Sequence, residues 1–151
     1  IGLSPLEASF VLSVMAGLAL VSKPLFGALV DRLDGRVSVL VALGAQTLGM
    51  VLLLAAEGYA SALVAAIVFG FGYGGMVPLR SALTAIGFGA RSFGEVSGAM
   101  RTAMAPLTMG GMPLAGWIFD LYGSYAVAFI TFIVLYVGAI AAVLLLRFSP
   151  R

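Results

Sequence analysis

Residues 69–75, FGFGYGG, carry the glycine spacing of a dinucleotide-binding loop. Gly70, Gly72 and Gly75 match G-x-G-x-x-G, and Glu95 follows at about the distance of a ribose-binding acid. Such a loop needs a strand before it, a helix after it and an aqueous face for the pyrophosphate. The stretch instead lies inside the uncharged run 58–79. We therefore interpret it as a helix-packing surface rather than a cofactor site.

Glycine in a membrane helix lets two backbones approach closely. Gly70 and Gly74 are spaced G-x-x-x-G, and Gly94 and Gly98 repeat that spacing further along the chain. We predict that both pairs are helix-packing positions.

Few residues of the chain could support other reaction chemistry. The chain has no Cys and no His, which excludes disulfides, Cys/His metal sites, a cysteine nucleophile and a histidine proton relay. Every Asp falls at the end of an apolar run, so paired aspartates inside the membrane are not available either. We expect no catalytic residue, no metal, no cofactor, no nucleic-acid partner and hence no enzyme.

The composition predicts that most of the chain lies in lipid. Of 151 residues 62% are hydrophobic and 9% are charged, whereas a soluble domain carries roughly 25% charged residues. The charges are bunched, which leaves several tracts near the roughly 20 residues that cross a bilayer as a helix. The sequence predicts an all-α membrane protein with five transmembrane helices at about 6–30, 37–56, 61–84, 97–119 and 124–146.

The connections between these spans differ in charge from one side to the other. One side collects arginines, among them Arg32, Arg36 and Arg91, whereas the other has Glu57 and Asp120 and no Lys or Arg. By the positive-inside rule the arginine side is cytoplasmic. We expect a multi-pass protein of the cell (plasma or inner) membrane, with the N-terminus of this segment outside and its C-terminus in the cytoplasm.

Two cations are candidates for binding an anionic solute. Lys23 lies about 12 Å along the helix from Asp31, well inside the hydrocarbon, where a charge needs a partner or a water-filled path. Arg101 is shallower and is a second candidate. Lys23 could instead snorkel to the interface, and Arg101 could serve as an interfacial anchor or pair with Glu95.

An internal repeat indicates a transporter plan. PLFGALVD (24–31) and PLAGWIFD (113–120) share P-L-x-G-x-x-x-D, and each closes a predicted span. The two spans are three apart, so the copies lie on opposite faces of the membrane, as in inverted-topology triplets. Counting in threes, the first span of the bundle is missing, and we expect the missing N-terminal helices of the same chain as partners.

The loop after the first span carries a family resemblance. In GALVDRLDGR, Gly27, Asp31 and Arg32 fit the pattern G-x-x-x-D-R-x-G-R, whereas Gly35 and Arg36 come one residue late because of Asp34. The chain resembles the C-terminal half of a major facilitator superfamily transporter, nearest the monocarboxylate/oxalate carrier branch. The resemblance implies five helices of a twelve-helix inverted-repeat fold, with a cytoplasmic gating loop formed by Gly27, Asp31, Arg32, Asp34 and Arg36.

The resemblance also implies alternating access around a midplane site. Carriers of this branch have a basic residue before a Pro in the eighth span, where this chain has Lys23 before Pro24, and an acid one turn earlier, where it has Ala19. We expect transport of a small organic anion such as a carboxylate, with a co-transported proton or a counter-anion as the candidate coupled species. The alternatives are an exporter of drugs or other neutral or cationic solutes, and a non-transporting membrane scaffold.

Overall fold

The computed structural model describes residues 2–145, apart from the side chain of Met112. These residues form four α-helices: α1 (Pro5–Arg32), α2 (Gly35–Leu54), α3 (Tyr59–Tyr122) and α4 (Ala126–Leu145). All four are long and apolar enough to cross a membrane. The all-helical fold predicted from the sequence is confirmed over the described residues.

Capping side chains define the starts of α1 and α2. The Ser4 backbone N–H donates to Glu7 Oε2 at 2.8 Å and the Glu7 N–H donates to Ser4 Oγ at 3.3 Å, which is a capping box. Pro5 follows in the first turn, where its missing N–H costs nothing. The Asp34 carboxylate accepts the Arg36 N–H at 3.1 Å and caps α2. A two-residue connection therefore suffices between α1 and α2.

Helix α3 is two spans joined at a single residue. Its 64 residues would be about 96 Å long as a straight helix, roughly three times the hydrocarbon thickness. Gly89, with φ 75° and ψ 165°, is the one residue with non-helical dihedral angles inside it. It divides α3 into a first arm (59–88) and a second arm (90–122). The connection predicted over 87–98 is thus wrong in form, because all of it except Gly89 is helical.

Side-chain contacts show that the two arms run antiparallel. The Arg80 guanidinium lies 3.3 Å from Met104 Sδ, and the Thr84 hydroxyl lies 3.7 Å from Met100 Sδ. From Arg80 to Thr84 the first arm advances one turn towards Gly89. Their partners on the second arm, Met104 and Met100, also approach Gly89 by one turn. The chain therefore reverses direction at Gly89, so that the four described helices comprise five helical segments.

The other helix pairs have the directions that a bundle crossing the membrane back and forth requires. Helix α1 packs chiefly on α3, and α2 packs on α3 and α4. Tyr136 of α4 bonds Gln46 in the middle of α2, and Arg36 at the start of α2 bonds the Leu144 carbonyl at the end of α4. Hence α2 and α4 are antiparallel. Arg36 and the end of α4 lie on one side of the bundle.

The close packing centres on the first arm of α3, between α1 and α2. A Cβ on Gly70 would lie 2.5 Å from the Met15 carbonyl oxygen, and one on Gly74 would overlap the Ala19 carbonyl oxygen. On the opposite side, a Cβ on Gly72 would lie 2.5 Å from the Ala42 carbonyl oxygen. Glycines thus let this arm approach both neighbours at backbone distance.

A small apolar core lies next to these glycines. Phe26, Ala42 and Leu79 are almost fully buried and come from α1, α2 and α3. The Phe26 and Phe71 rings pack with centroids 5.1 Å apart at an interplanar angle of 50°, within the range of favourable aromatic pairs. This core fixes the α1–α3 contact at the level where the candidate site begins.

Candidate transport site

A groove of about 450 Å³ lies between α1 and the first arm of α3. From α1 it is lined by Ala16, Leu20 and Lys23, and from α3 by Tyr73, Gly74 and Val77. Among these described residues Lys23 is the only charged one, and no carboxylate lines the groove. The groove therefore offers a single positive charge in apolar surroundings.

Lys23 lies well inside α1, far from either end of the helix. Lys23 precedes the last residue of α1, Arg32, by nine residues, or about 14 Å of helix. The helix continues without interruption through Pro24. The depth of Lys23 in the bilayer stays a prediction, and snorkelling and solute binding are both compatible with its exposed side chain.

Tyr73 is a groove residue that the sequence analysis did not identify. It is 54% exposed and its ring stacks on Phe69, with centroids 6.0 Å apart and an interplanar angle of 16°. The ring is therefore braced within the first arm while one face remains open. Its phenol adds a hydrogen-bonding group to a groove that otherwise contains Lys23 as its one polar side chain.

A buried carboxamide holds the first arm from behind the groove. Gln46 is 2% exposed, and its Nε2 donates to the Ala42 carbonyl at 3.2 Å and to the Gly72 carbonyl at 3.5 Å. Its Oε1 accepts the Tyr136 hydroxyl at 2.9 Å. Gly72 immediately precedes Tyr73, so this network ties α2 and α4 to the residues that line the groove.

Gln46 and Tyr136 were also missed from the sequence. Gln46 is the only Gln in a chain without Asn, and it lies inside an uncharged span, where a polar side chain needs a partner. A single polar side chain inside an apolar span could therefore have identified Gln46 from the sequence. No comparable signal pointed to Tyr136, because the two residues are 90 positions apart.

The predicted gating loop divides into exposed and anchored residues. Asp31, Arg32 and Asp34 are exposed, and Asp34 serves as the α2 cap. Arg36 is half-buried, and its guanidinium donates to the Leu144 carbonyl at the end of α4. Gly27 faces open space in the described structure. A gating role for these five residues stays a prediction.

The structure does not bring Arg101 to Lys23. Arg101 is exposed on the second arm and is not among the described residues that line the groove. Gly94 and Gly98, on the same arm, have open space where a Cβ would stand, unlike Gly70 and Gly74. A binding role for Arg101 and a packing role for Gly94 and Gly98 stay predictions.

Charged side chains at the helix ends fall on the sides predicted from the sequence. Arg32 and Arg36 lie at the α1–α2 connection, and Arg91 follows Gly89. Because the spans alternate in direction, these three share one side of the bundle. Glu57 and Asp120 lie at the opposite connections. Arg147 and Arg151, which the sequence also assigns to the arginine side, lie outside the described residues.

Long apolar helices that alternate in direction and pack through glycines are typical of a multi-pass membrane protein. The family model described as Major Facilitator Superfamily matches residues 1–151. The chain therefore belongs to the major facilitator superfamily, a family of membrane transporters rather than enzymes. No curated protein and no solved structure matches the chain significantly.

Proposed function

We propose that this transporter moves a small organic anion, with a carboxylate group, across the membrane by alternating access. The observation that carries the proposal is Lys23, a cation about 14 Å from the end of α1 that lines a groove without a carboxylate. A charge at that depth is costly on its own, and a bound anion would offset the cost. The choice of a carboxylate also draws on the sequence resemblance of the Lys23–Pro24 step to carriers of the monocarboxylate/oxalate branch.

Alternating access needs a second helical bundle opposite this one, which we expect outside residues 1–151. The second arm of α3 is exposed throughout residues 101–110 and leaves room for such helices. We place the arginine side of the bundle in the cytoplasm of a cell membrane, following the positive-inside rule.

A counter-anion fits the groove better than a proton as the coupled species. Position 19, one turn before Lys23, is Ala, and it is buried against Gly74 at the α1–α3 contact. A carboxylate side chain at position 19 would have to displace the contact between α1 and Gly74. An acid–lysine pair within α1 is therefore not available to carry a proton.

Substitution of Lys23 tests the proposal. In proteoliposomes, uptake of labelled small carboxylates (acetate, glycolate and oxalate) should fall roughly 10- to 100-fold in Lys23→Gln, the loss of one charge-assisted hydrogen bond. Lys23→Arg should retain most of the uptake. Arg91→Gln, which removes a cation outside the groove, is the matched control and should transport normally.

The main alternative is an exporter of neutral or cationic solutes in which Lys23 is structural. Wild-type transport of such solutes, unchanged in Lys23→Gln and unaffected by carboxylates, would establish that alternative. If the reconstituted protein transports no solute, the result would favour the non-transporting membrane scaffold.

A further inference from the structure

The two arms of α3 meet through a contact between a charged donor and a sulfur atom. Arg80 Nη1 of the first arm donates to Met104 Sδ of the second arm at 3.3 Å, and both side chains are exposed. Arg80 precedes Gly89 by nine residues, so this contact lies about 14 Å along the first arm from the reversal. A thioether is a weak acceptor, and the contact therefore adds little to the attraction between the arms.

Oxidation of the Met104 sulfur would make it a much stronger acceptor. When a peroxide reacts with a thioether, an S–O bond forms and the O–O bond breaks. The sulfur loses two electrons, and the second peroxide oxygen leaves as water. Met104 is 40% exposed, so a small neutral peroxide can reach its sulfur. The Arg80 guanidinium, with its five N–H donors, already lies beside the position that the new oxygen would take.

Met100, one turn closer to Gly89, provides a contrast on the same arm. Its sulfur lies 3.7 Å from the Thr84 hydroxyl, but that hydroxyl has one hydrogen and donates to the Arg80 carbonyl at 2.8 Å. Thr84 is 5% exposed and Met100 is half-buried. The described contacts thus offer a Met100 sulfoxide no free donor, and its polar oxygen would be buried at a cost.

We propose that Met104 is a redox-responsive site, at which oxidation to the sulfoxide strengthens the bond with Arg80 and ties the two arms of α3 together. The sulfoxide oxygen accepts a charge-assisted hydrogen bond, which is roughly twice as strong as a neutral one. Reduction by a methionine sulfoxide reductase restores the thioether and the weaker contact. The α3 hairpin responds in this way whatever solute the transporter carries.

Glutamine at position 104 tests the acceptor without an oxidant, because its side chain carries an oxygen on the δ atom, as the sulfoxide does. In the detergent-solubilised transporter, Met104→Gln should melt about 2–4 °C higher than Met104→Leu. That gain should disappear when Arg80→Gln is added, and the double-mutant cycle measures the coupling between the two positions. Met109→Gln is the matched control: Met109 lies on the same arm, is 77% exposed and does not contact Arg80 in the described structure. Its effect should be the same with and without Arg80→Gln.

Hydrogen peroxide tests the redox step itself and needs no substitution of Arg80. Wild type and Met104→Leu are treated alike, and peptide mass spectrometry locates the sulfoxides. The change in melting temperature on oxidation should be more positive in wild type by about 2–4 °C, because oxidation of the other methionines is common to both proteins. Methionine sulfoxide reductases should remove that difference.

Three results would overturn the proposal. The first is a Met104→Gln gain that is absent or that persists with Arg80→Gln. The second is an oxidation shift that is equal in wild type and Met104→Leu. The third is a Met104 that stays unoxidised under conditions that convert Met109.

Discussion

A Cβ atom at Gly74 would overlap both the Ala19 carbonyl oxygen and the Ser22 hydroxyl of α1. The backbone atoms of α1 cannot move aside without shifting the whole helix, so the position tolerates no side chain. The same close approach brings Lys23 and Tyr73 to opposite walls of one groove. Because Gly74 has no Cβ atom, α1 and the first arm of α3 pack closely there, and this close packing also shapes the candidate site.

Gly74→Ala should lower the free energy of unfolding by about 1–3 kcal/mol, the usual cost of forcing a methyl group into a packed contact. Gly98→Ala is the control, because Gly98 is helical and has open space around it. That exchange should leave stability unchanged or raise it by up to about 1 kcal/mol. Thermal unfolding of the two variants in detergent measures the difference, and equal melting temperatures would show that the α1–α3 contact at Gly74 is not tight.

At the scale of elements, the reversal of α3 depends on Gly89. Its φ of 75° with ψ of 165° is open almost only to glycine. The two arms on either side of it are helical, and they meet through Arg80 with Met104 and Thr84 with Met100. A single residue therefore separates what the sequence indicates as two spans.

Gly89→Ala should destabilise the protein by about 1–3 kcal/mol, because alanine is strained at this combination of dihedral angles. Gly87→Ala, two residues earlier in the helical part of the first arm, is the matched control and should be neutral or slightly stabilising. Chemical or thermal unfolding of both variants checks the expectation. A Gly89→Ala variant as stable as the control would mean that the arms do not reverse at this residue.

Long apolar tracts with few charges were a sufficient guide to the helices, because lipid forces every backbone group of a span into internal hydrogen bonds. The predicted spans 6–30 and 97–119 lie within α1 and the second arm of α3, respectively. The form of the connection at 87–98 could not be predicted in the same way. Polar and glycine-rich composition indicates exposure to water, but helices can continue into the interface and turn at one residue.

At the scale of the whole molecule, the direction of each span fixes which connections share a side. The α1–α2 connection lies with Gly89 and the end of α4, and the α2–α3 and α3–α4 connections lie opposite. Residues 1–151 contain no native Cys, so single cysteines introduced here report on each side once any cysteine elsewhere in the transporter is replaced by serine. We expect that Ser124→Cys reacts with a membrane-impermeant maleimide in intact cells and that Leu33→Cys reacts only after permeabilisation. The reverse pattern would contradict the proposed orientation.

The candidate site could be predicted only in part. The sequence singled out Lys23 as a candidate because it is a lone lysine in an apolar span, where a charge at membrane depth is costly. Tyr73, Gln46 and Tyr136 depend on which helix faces come together, and that is set by glycine contacts between segments far apart in the chain. Arg101, the shallower second candidate in sequence, is not among the described residues that line the groove.

The central claim is that the solute binds in the groove between α1 and the first arm of α3. Its most direct test is substrate protection of a single cysteine at Ala16, which lines the groove, because residues 1–151 contain no native cysteine and any cysteine elsewhere in the transporter can be replaced by serine. A transported carboxylate should slow the labelling of Ala16→Cys by a small thiol reagent, leave Ser124→Cys unaffected, and lose its effect when Lys23→Gln is added. Labelling of Ala16→Cys that is indifferent to every carboxylate the protein transports would contradict the claim.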